Sequence, residues 1–172
     1  ADYEVCDVSD YDRLARLNSD YRHAAENGYF LGAKLVRGAY LERERERAFE
    51  RGEASPIHID KSSTDLDYNK AVLFCIEHID RISVFNGTHN ELSCRYMADL
   101  MQQHGIVPDD ERCYFSQLYG MRDNVSFNLA DAGYNVAKYL PYGPLKAVLP
   151  YLIRRAEENS AIAGQMGREL EL

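Results

Sequence analysis

The sequence has few of the features that mark membrane proteins, metal clusters and nucleic-acid binders. No apolar run approaches the ~20 residues that a membrane-spanning helix needs. The 28 acidic residues outnumber the 20 basic ones, and the net charge of -8 argues against general nucleic-acid binding, which requires a basic surface. The four cysteines are widely spaced and form no C-x-x-C pair. We therefore expect free thiols in a reducing compartment and no metal site.

Local catalytic signatures are also missing from the sequence. The glycines of GAKLVRGAY (32–40) do not fit the dinucleotide-binding pattern G-x-G-x-x-G, and no Ser/His/Asp set or phosphate loop is present. The first ten residues are acidic and polar, so we expect no secretory signal peptide. The evidence for function must therefore come from the order of the elements along the chain.

Strand-like and helical stretches alternate along the 172 residues, a length typical of one domain spanning 1–172. Strands are predicted at 31–36, 81–85, 112–118 and 134–140. Helices are predicted at 10–27, 41–51, 64–78, 91–104 and 124–132, and from about 143 onward, with Ser9 and Thr64 as N-caps and Gly28 ending the first helix. This alternation predicts a parallel sheet with helical crossovers. Four such units make half of an eight-fold barrel or a small open sheet.

Polar, aromatic and glycine residues recur where each predicted strand ends. In parallel α/β folds, ligands bind at the carboxyl ends of the strands. These ends carry RGAY (37–40), NGTHN (86–90), QLYGM (117–121) and YLPYG (139–143). Turns alone would account for the glycines, but not for an aromatic and polar cluster at every end. We therefore predict that a binding site lies at this edge of the sheet.

Two groups of residues allow either a functional or a structural interpretation. In the last helix, Arg154 and Arg155 precede Glu158, and Tyr151 lies one turn before the arginines. Paired guanidinium groups beside an aromatic ring suit a small carboxylate ligand, although a solvated helix face with a salt bridge is the alternative. His89 is either a catalytic base or a structural hydrogen-bonding group.

Five blocks of the sequence resemble, in order, the blocks of proline dehydrogenases. They are KLVRGAY (34–40), THN (88–90), QLYGM (117–121), KYLPYGP (138–144) and YLIRRAEEN (151–159), and the resemblance runs from about Leu31 to Asn159. It implies α/β architecture in the form of a partial eight-fold barrel. About four C-terminal βα units would be present, with FAD at the strand ends and the final helix over the barrel mouth.

The resemblance also implies roles for individual residues. Lys34 takes the place of a basic residue near flavin N5. The other implied cofactor positions are Val36, Gly38, Ala39, Lys61, Thr64, His89, Asn90 and Gln117. Leu118 is expected on the substrate side, and the pocket for the proline ring and carboxylate would contain Tyr139, Tyr151, Arg154 and Arg155, with Glu158 holding the arginine pair.

The implied reaction is the oxidation of L-proline to Δ1-pyrroline-5-carboxylate, with hydride transfer to the flavin and a quinone as electron acceptor. The location would be cytoplasmic or peripheral to the inner membrane in a bacterium, and mitochondrial in a eukaryote. The family's first four strands have no counterpart here, so we expect the chain alone to be inactive. It would need the N-terminal half of the barrel or another copy of itself.

One departure from the family pattern concerns the cofactor directly. Asp7 stands about where the family has a flavin-contacting glutamine, and a carboxylate there would repel an anionic reduced flavin. The alternative function is therefore a non-catalytic half-barrel that self-associates through its open sheet edges and binds no flavin. A complete flavodoxin-like domain would fit the length but not the order of the blocks.

Overall fold

The computed structural model describes residues 4–38, 41–146 and 148–153. Strands and helices alternate in the order β1 (Glu4–Asp7), α1 (Arg13–Asn27), β2 (Leu31–Val36), α2 (Leu41–Arg51), α3 (Lys61–Glu77), β3 (Ile82–Gly87), α4 (Glu91–Gln103), β4 (Cys113–Leu118), α5 (Asp123–Asp131) and β5 (Val136–Tyr139). Residues 145–146 and 148–153 are also helical. The chain forms two compact units, 1–138 and 139–172. The single domain expected from the sequence stays a prediction.

The five strands form one sheet in the order β1-β2-β3-β4-β5, and β1 to β4 pair in parallel. The predicted parallel α/β class is therefore confirmed, and β2 has the predicted bounds. The structure adds β1, which the sequence analysis did not count as a strand. This strand is only four residues long and has the acidic residues Glu4 and Asp7 at its ends, so it lacks an apolar run.

The helix starts differ from the predicted ones in two places. Helix α1 begins at Arg13 rather than beside Ser9, which is fully buried and accepts a hydrogen bond from the Gly38 N–H. Helix α3 begins at Lys61, because the Asp60 carboxylate accepts a hydrogen bond from the backbone N–H of Ser63 at 2.7 Å. The prediction that Gly28 ends α1 is confirmed, since its φ of 76° is the left-handed conformation that glycine favours.

The two faces of the sheet differ in burial, because side chains alternate along a strand. Leu35, Val84 and Phe115 point to the side covered by helices and are fully buried, packed with residues of α3 and α4. Most of their neighbours along the strands, on the opposite side, are only partly buried, and Ser116 is the buried exception. We call this second surface the half-exposed face and define it by Lys34, Val36, Phe85, Tyr114 and Leu118.

All four cysteines are free and buried, which confirms the prediction of unpaired thiols. Burial raises the pKa of Cys94 to about 11 and that of Cys113 to about 12, because a thiolate is poorly solvated in the core. Within the described ranges, no helix is both long and apolar enough to cross a bilayer.

Candidate functional site

Lys34 lies on the half-exposed face, in β2. It is in register with Phe85 of β3, and its Nζ atom is 5.5 Å from the centre of the Phe85 ring. The Phe85 ring in turn stacks on Tyr114 of β4, with the ring centres 5.5 Å apart. Partial burial lowers the pKa of Lys34, because desolvation disfavours the ammonium form. A basic group with a perturbed pKa on an otherwise aromatic and aliphatic surface is typical of a functional site.

Gly87 keeps the end of β3 free of a side chain next to Lys34. A Cβ atom at this position would lie 2.9 Å from the Leu35 carbonyl oxygen, 3.1 Å from Val36 Cγ1 and 3.4 Å from Lys34 Cε. The first of these contacts is with backbone and cannot be relieved by a side-chain rotation. Glycine therefore allows β2 and β3 to keep this spacing where Lys34 and Val36 lie side by side.

The loop after β2 is held at Gly38 from the end of β1. The Gly38 N–H donates to Ser9 Oγ at 2.6 Å, and the backbone N–H of Ser9 donates to Asp7 Oδ1 at 3.1 Å. Asp7 is buried and is in register with Val36. One oxygen of this carboxylate is thus occupied by its own chain. The predicted effect of Asp7 on a reduced flavin stays a prediction.

Behind the sheet, Arg37 forms what we call the strand-end network with Asp65, Thr88 and Ser93. Its guanidinium group donates to Thr88 Oγ1 at 2.9 Å and to Ser93 Oγ at 2.8 Å, and it forms an ion pair with Asp65. Lys61 pairs with the same carboxylate. The network joins the end of β2 to the starts of α3 and α4.

The loop between β3 and α4 contains two of the predicted cofactor residues. His89 and Asn90 are half-buried, and Asn90 caps α4 by accepting a hydrogen bond from the Ser93 N–H at 3.2 Å. The side chain of Asn90 therefore already has a structural role. The backbone N–H of Asn90 donates to Thr88 Oγ1 at 3.1 Å, which connects this loop to the strand-end network.

Gln117 points away from the half-exposed face. It is buried on the helix-covered side of β4, where its Nε2 donates to the Thr88 carbonyl at 3.3 Å and its Oε1 accepts from Ser126 Oγ at 2.8 Å. Both ends of the amide are thus occupied within the fold. Leu118, the next residue, lies on the half-exposed face with Tyr114.

The remaining predicted residues are distributed as follows. Lys61 is exposed and Thr64 is buried in the first turn of α3, where its hydroxyl donates to the Asp60 carbonyl at 3.3 Å. In the second unit, the rings of Tyr139 and Tyr151 pack edge to face with centres 6.0 Å apart. Four predicted site residues lie outside the described ranges, namely Ala39, Arg154, Arg155 and Glu158.

Comparisons with known proteins show which family the chain belongs to. The family model for proline dehydrogenase matches residues 10–168. The chain belongs to the proline dehydrogenase family. Mitochondrial proline dehydrogenase 1 of Homo sapiens is 43% identical over 164 residues, covering 94% of this chain and 27% of that protein. Hydroxyproline dehydrogenase of Homo sapiens is 40% identical over 174 residues, covering 99% of this chain and 37% of that protein.

Among solved structures, proline utilization A from Bdellovibrio bacteriovorus has a TM-score of 0.84 and 28% sequence identity. The match covers 90% of this chain and 16% of that one, which confirms the predicted fold class of a partial barrel with parallel strands. The chain thus spans well under half the length of these relatives.

The sequence analysis did not identify the contacts that Ser9 and Tyr68 make at this site, or the close approach of Gly87 to β2. Ser9 had been assigned to a helix start. Tyr68 lies in the middle of α3, where an aromatic residue usually packs in the core, but its hydroxyl donates to the Leu35 carbonyl of β2 at 3.3 Å. Gly87 had been noted only as part of a strand end. No local pattern distinguishes these residues, because their contacts are with segments distant in sequence.

Proposed function

We propose that this chain forms the C-terminal part of the catalytic barrel of a flavin-dependent dehydrogenase that oxidises L-proline to Δ1-pyrroline-5-carboxylate. The observation that carries the proposal is the position of Lys34. It is a partly desolvated lysine on the half-exposed face, packed near Phe85 in a chain of the proline dehydrogenase family. Membership of the family supports the reaction class, and Lys34 supplies a charged group where that chemistry needs one.

The described residues fit a flat cofactor ring against the half-exposed face. Gly87 adds no side chain beside Lys34 and Val36, and Gly38 adopts a φ of 77° with no atom within 4 Å of where its Cβ would be. Bound FAD would supply the acceptor for the hydride that leaves the substrate carbon beside nitrogen. The residues proposed to hold it are Lys34, Val36, Gly38, Ala39, Lys61, Thr64, His89 and Asn90.

Lys34 is proposed to act electrostatically. An ammonium group that projects from a strand and lies near the Phe85 ring offers positive charge without reorganisation, and at low local polarity such a charge is effective. Charge stabilisation of this kind typically contributes about 100–1,000-fold in rate. Gln117 is proposed to support Thr88 rather than to contact the cofactor, because its amide is engaged with Thr88 and Ser126.

The substrate is proposed to be held by residues near the end of the chain. Arg154 and Arg155 would bind the proline carboxylate, since guanidinium groups match a carboxylate bidentately. Glu158 would hold the arginine pair, and Tyr139, Tyr151 and Leu118 would line the pocket for the ring. The edge-to-face contact of Tyr139 with Tyr151 supports a common role for these two rings.

The partners follow from the same proposal. Strands β1 and β5 end the described sheet, and edge strands expose backbone groups that other strands can pair with. The preceding half of the barrel is proposed to occupy one of these edges, and electrons are proposed to pass to a quinone through peripheral contact with a membrane. The proposed location is mitochondrial in a eukaryote, as the name of the human relative states for that protein. In a bacterium it is cytoplasmic or at the inner membrane.

The sheet edges also favour a second candidate, a self-associating half-barrel that binds no flavin. Purified protein incubated with FAD distinguishes the two, because a bound flavin absorbs near ~450 nm and migrates with the protein on gel filtration. We expect flavin binding and dye-coupled proline oxidation, at about 1–10 per second, when the chain is combined with the preceding half of the barrel, and little activity from the chain alone. A colourless, inactive assembly would refute the proposal. Turnover in that range by the lone chain would refute the need for the other half.

The comparisons also require a test of the substrate, because hydroxyproline dehydrogenase is among the relatives. The assembled enzyme should be assayed with L-proline and with 4-hydroxy-L-proline at matched concentrations. We expect a higher kcat/KM for proline. A clear preference for hydroxyproline would keep the reaction class and change the substrate.

A further inference from the structure

We propose that Arg37 is the positioning residue of the flavin site, because it ties together three segments that would hold the cofactor. The proposal rests on the proposed function and adds an individual role for Arg37, which the sequence analysis names only as a member of the strand-end cluster RGAY (37–40). Arg37 would not contact the flavin through its side chain. It would act through Thr88 and Asp65.

The side chain of Arg37 is aimed away from the half-exposed face and is well buried. It is 13% exposed, and its guanidinium carbon lies 3.9 Å from the centre of the Tyr68 ring. From this position it donates to Thr88 Oγ1 and Ser93 Oγ, at 2.9 and 2.8 Å, and pairs with Asp65. A planar guanidinium group stacked on a ring and bonded in three directions has little rotational freedom.

Arg37 and two of its partners each lead to a different cofactor segment. Arg37 itself immediately precedes Gly38 at the end of β2. Asp65 is shared with Lys61 at the start of α3. Thr88 Oγ1 also accepts the backbone N–H of Asn90, in the loop between β3 and α4. One side chain thus fixes the relative placement of the three segments.

The local fold of the segments does not depend on Arg37. Helix α3 has its own cap in Asp60, and α4 has its own cap in Asn90. Loss of Arg37 should therefore leave both helices formed and change mainly their placement relative to β2. Misplacement of about 1 Å far from the reacting atoms can reduce rate by roughly a hundredfold. Because the misplaced segments are those proposed to hold FAD, the losses in FAD affinity and in kcat should both be larger than the loss in the free energy of unfolding would explain.

The test compares four variants of the complete protein that carries this chain. Arg37→Met removes all three polar contacts, and Arg37→Lys keeps the charge but not the planar fork. Thr88→Val removes only the hydroxyl, and so remains informative if Arg37→Met does not fold. Arg112→Met is the matched control. Like Arg37, Arg112 makes several hydrogen bonds, to Asp110 at 2.6 and 2.8 Å and to the Ile79 carbonyl at 3.3 Å. Unlike Arg37, it immediately precedes β4 and so lies at the end of the sheet opposite the proposed site.

For each variant, the dissociation constant of FAD is measured by quenching of flavin fluorescence, and unfolding is measured by urea denaturation. We expect Arg37→Met to weaken FAD binding at least about tenfold, equivalent to about 1.4 kcal/mol, with Thr88→Val and Arg37→Lys intermediate. Arg112→Met should lower stability and leave FAD affinity within about twofold of wild type. In the flavin-saturated enzyme, Arg37→Met should lower kcat more than it raises KM for proline.

The possible failures are distinguishable. If wild-type protein binds FAD and both Arg37→Met and Thr88→Val bind it within about twofold of wild type, the positioning role is refuted and the proposed function stands. If Arg112→Met weakens FAD binding as much as Arg37→Met, the effect is one of general stability and the positioning role is also refuted. If wild-type protein binds no FAD, the proposed function fails and this inference fails with it.

Discussion

Replacement of Lys34 by methionine should separate a catalytic role from a structural one. Methionine keeps an unbranched stem of similar length and removes the ammonium group. Burial lowers the pKa of Lys34, so the charged form carries a desolvation penalty in the folded state that methionine avoids. The variant loses the contact of Nζ with the Phe85 ring, a type of interaction that contributes about 0.5–1 kcal/mol at such sites.

These two effects oppose each other, and together they should change the free energy of unfolding by no more than about 1 kcal/mol. For a protein of this size that corresponds to a shift in Tm of about 2–4 °C. The effect on catalysis should be much larger. Loss of a fixed charge at the reacting centre typically lowers kcat by about 100–1,000-fold, or about 2.7–4 kcal/mol. The two quantities are therefore well separated.

The assays are urea unfolding followed by circular dichroism and dye-coupled oxidation of L-proline by the flavin-loaded enzyme. Lys70→Met is the charge-matched control, because Lys70 is exposed on α3 and pairs with Asp67 at 2.8 Å. Such surface pairs contribute roughly 0–1 kcal/mol. We expect Lys70→Met to preserve both stability and turnover. If Lys34→Met retained turnover within about threefold, the electrostatic role of Lys34 would be wrong. A loss of more than about 2 kcal/mol of stability would instead show that Lys34 has a structural role.

The same structure predicts how Lys34 affects stability at alkaline pH, how Tyr68 stabilises the core and how slowly the buried cysteines react. Folding lowers the pKa of Lys34 from 10.5, so at pH values between the folded and the unfolded pKa the unfolded state binds more protons than the folded state. The stability of the wild type should therefore rise relative to that of Lys34→Met over this alkaline interval, as measured by urea unfolding at a series of pH values. The Tyr68 hydroxyl donates a hydrogen bond to Asn86 Oδ1 at 2.5 Å. Tyr68→Phe removes this donor from a buried acceptor and should lower the free energy of unfolding by about 1–3 kcal/mol. Adding Asn86→Leu should recover about 1–2 kcal/mol in a double-mutant cycle, and strict additivity would contradict the contact. All four thiols are buried, and burial raises the pKa of Cys94 to about 11 and that of Cys113 to about 12. The native protein should therefore react slowly with Ellman's reagent at pH 8. Rapid stoichiometric labelling before unfolding would contradict the burial of these thiols.

The strands and the edge of the sheet that carries the site could be predicted with little error. Runs such as LGAKLV (31–36) combine apolar and β-branched residues between turn residues, and this local pattern is enough to identify a strand. The alternation with helices then predicts parallel pairing, because parallel strands require long crossovers. Strand β1 was missed since a strand of four residues with acidic ends depends on pairing with β2 for its identity.

The starts of two helices were predicted less well for a related reason. Ser9 and Thr64 both have the chemistry of an N-cap, but so do Asp12 and Asp60 nearby. Ser9 accepts instead from Gly38, which is 29 residues away, and Thr64 lies one turn inside its helix. Several residues could cap each helix by local criteria. In α3 Asp60 does so, whereas Asp12, which precedes α1, makes no side-chain capping hydrogen bond, so packing elsewhere in the fold decided both starts.

The sequence by itself determined the family, the order of the elements and the set of residues at the strand ends, because each of these depends on neighbouring residues or on ordered blocks. Only the tertiary structure decided where those side chains point. Lys34 and Leu118 lie on the half-exposed face, whereas Gln117 is turned towards Ser126 and Arg37 towards Asp65. The physical reason is that a strand alternates its side chains between two faces, and which face is buried depends on the helices that pack there.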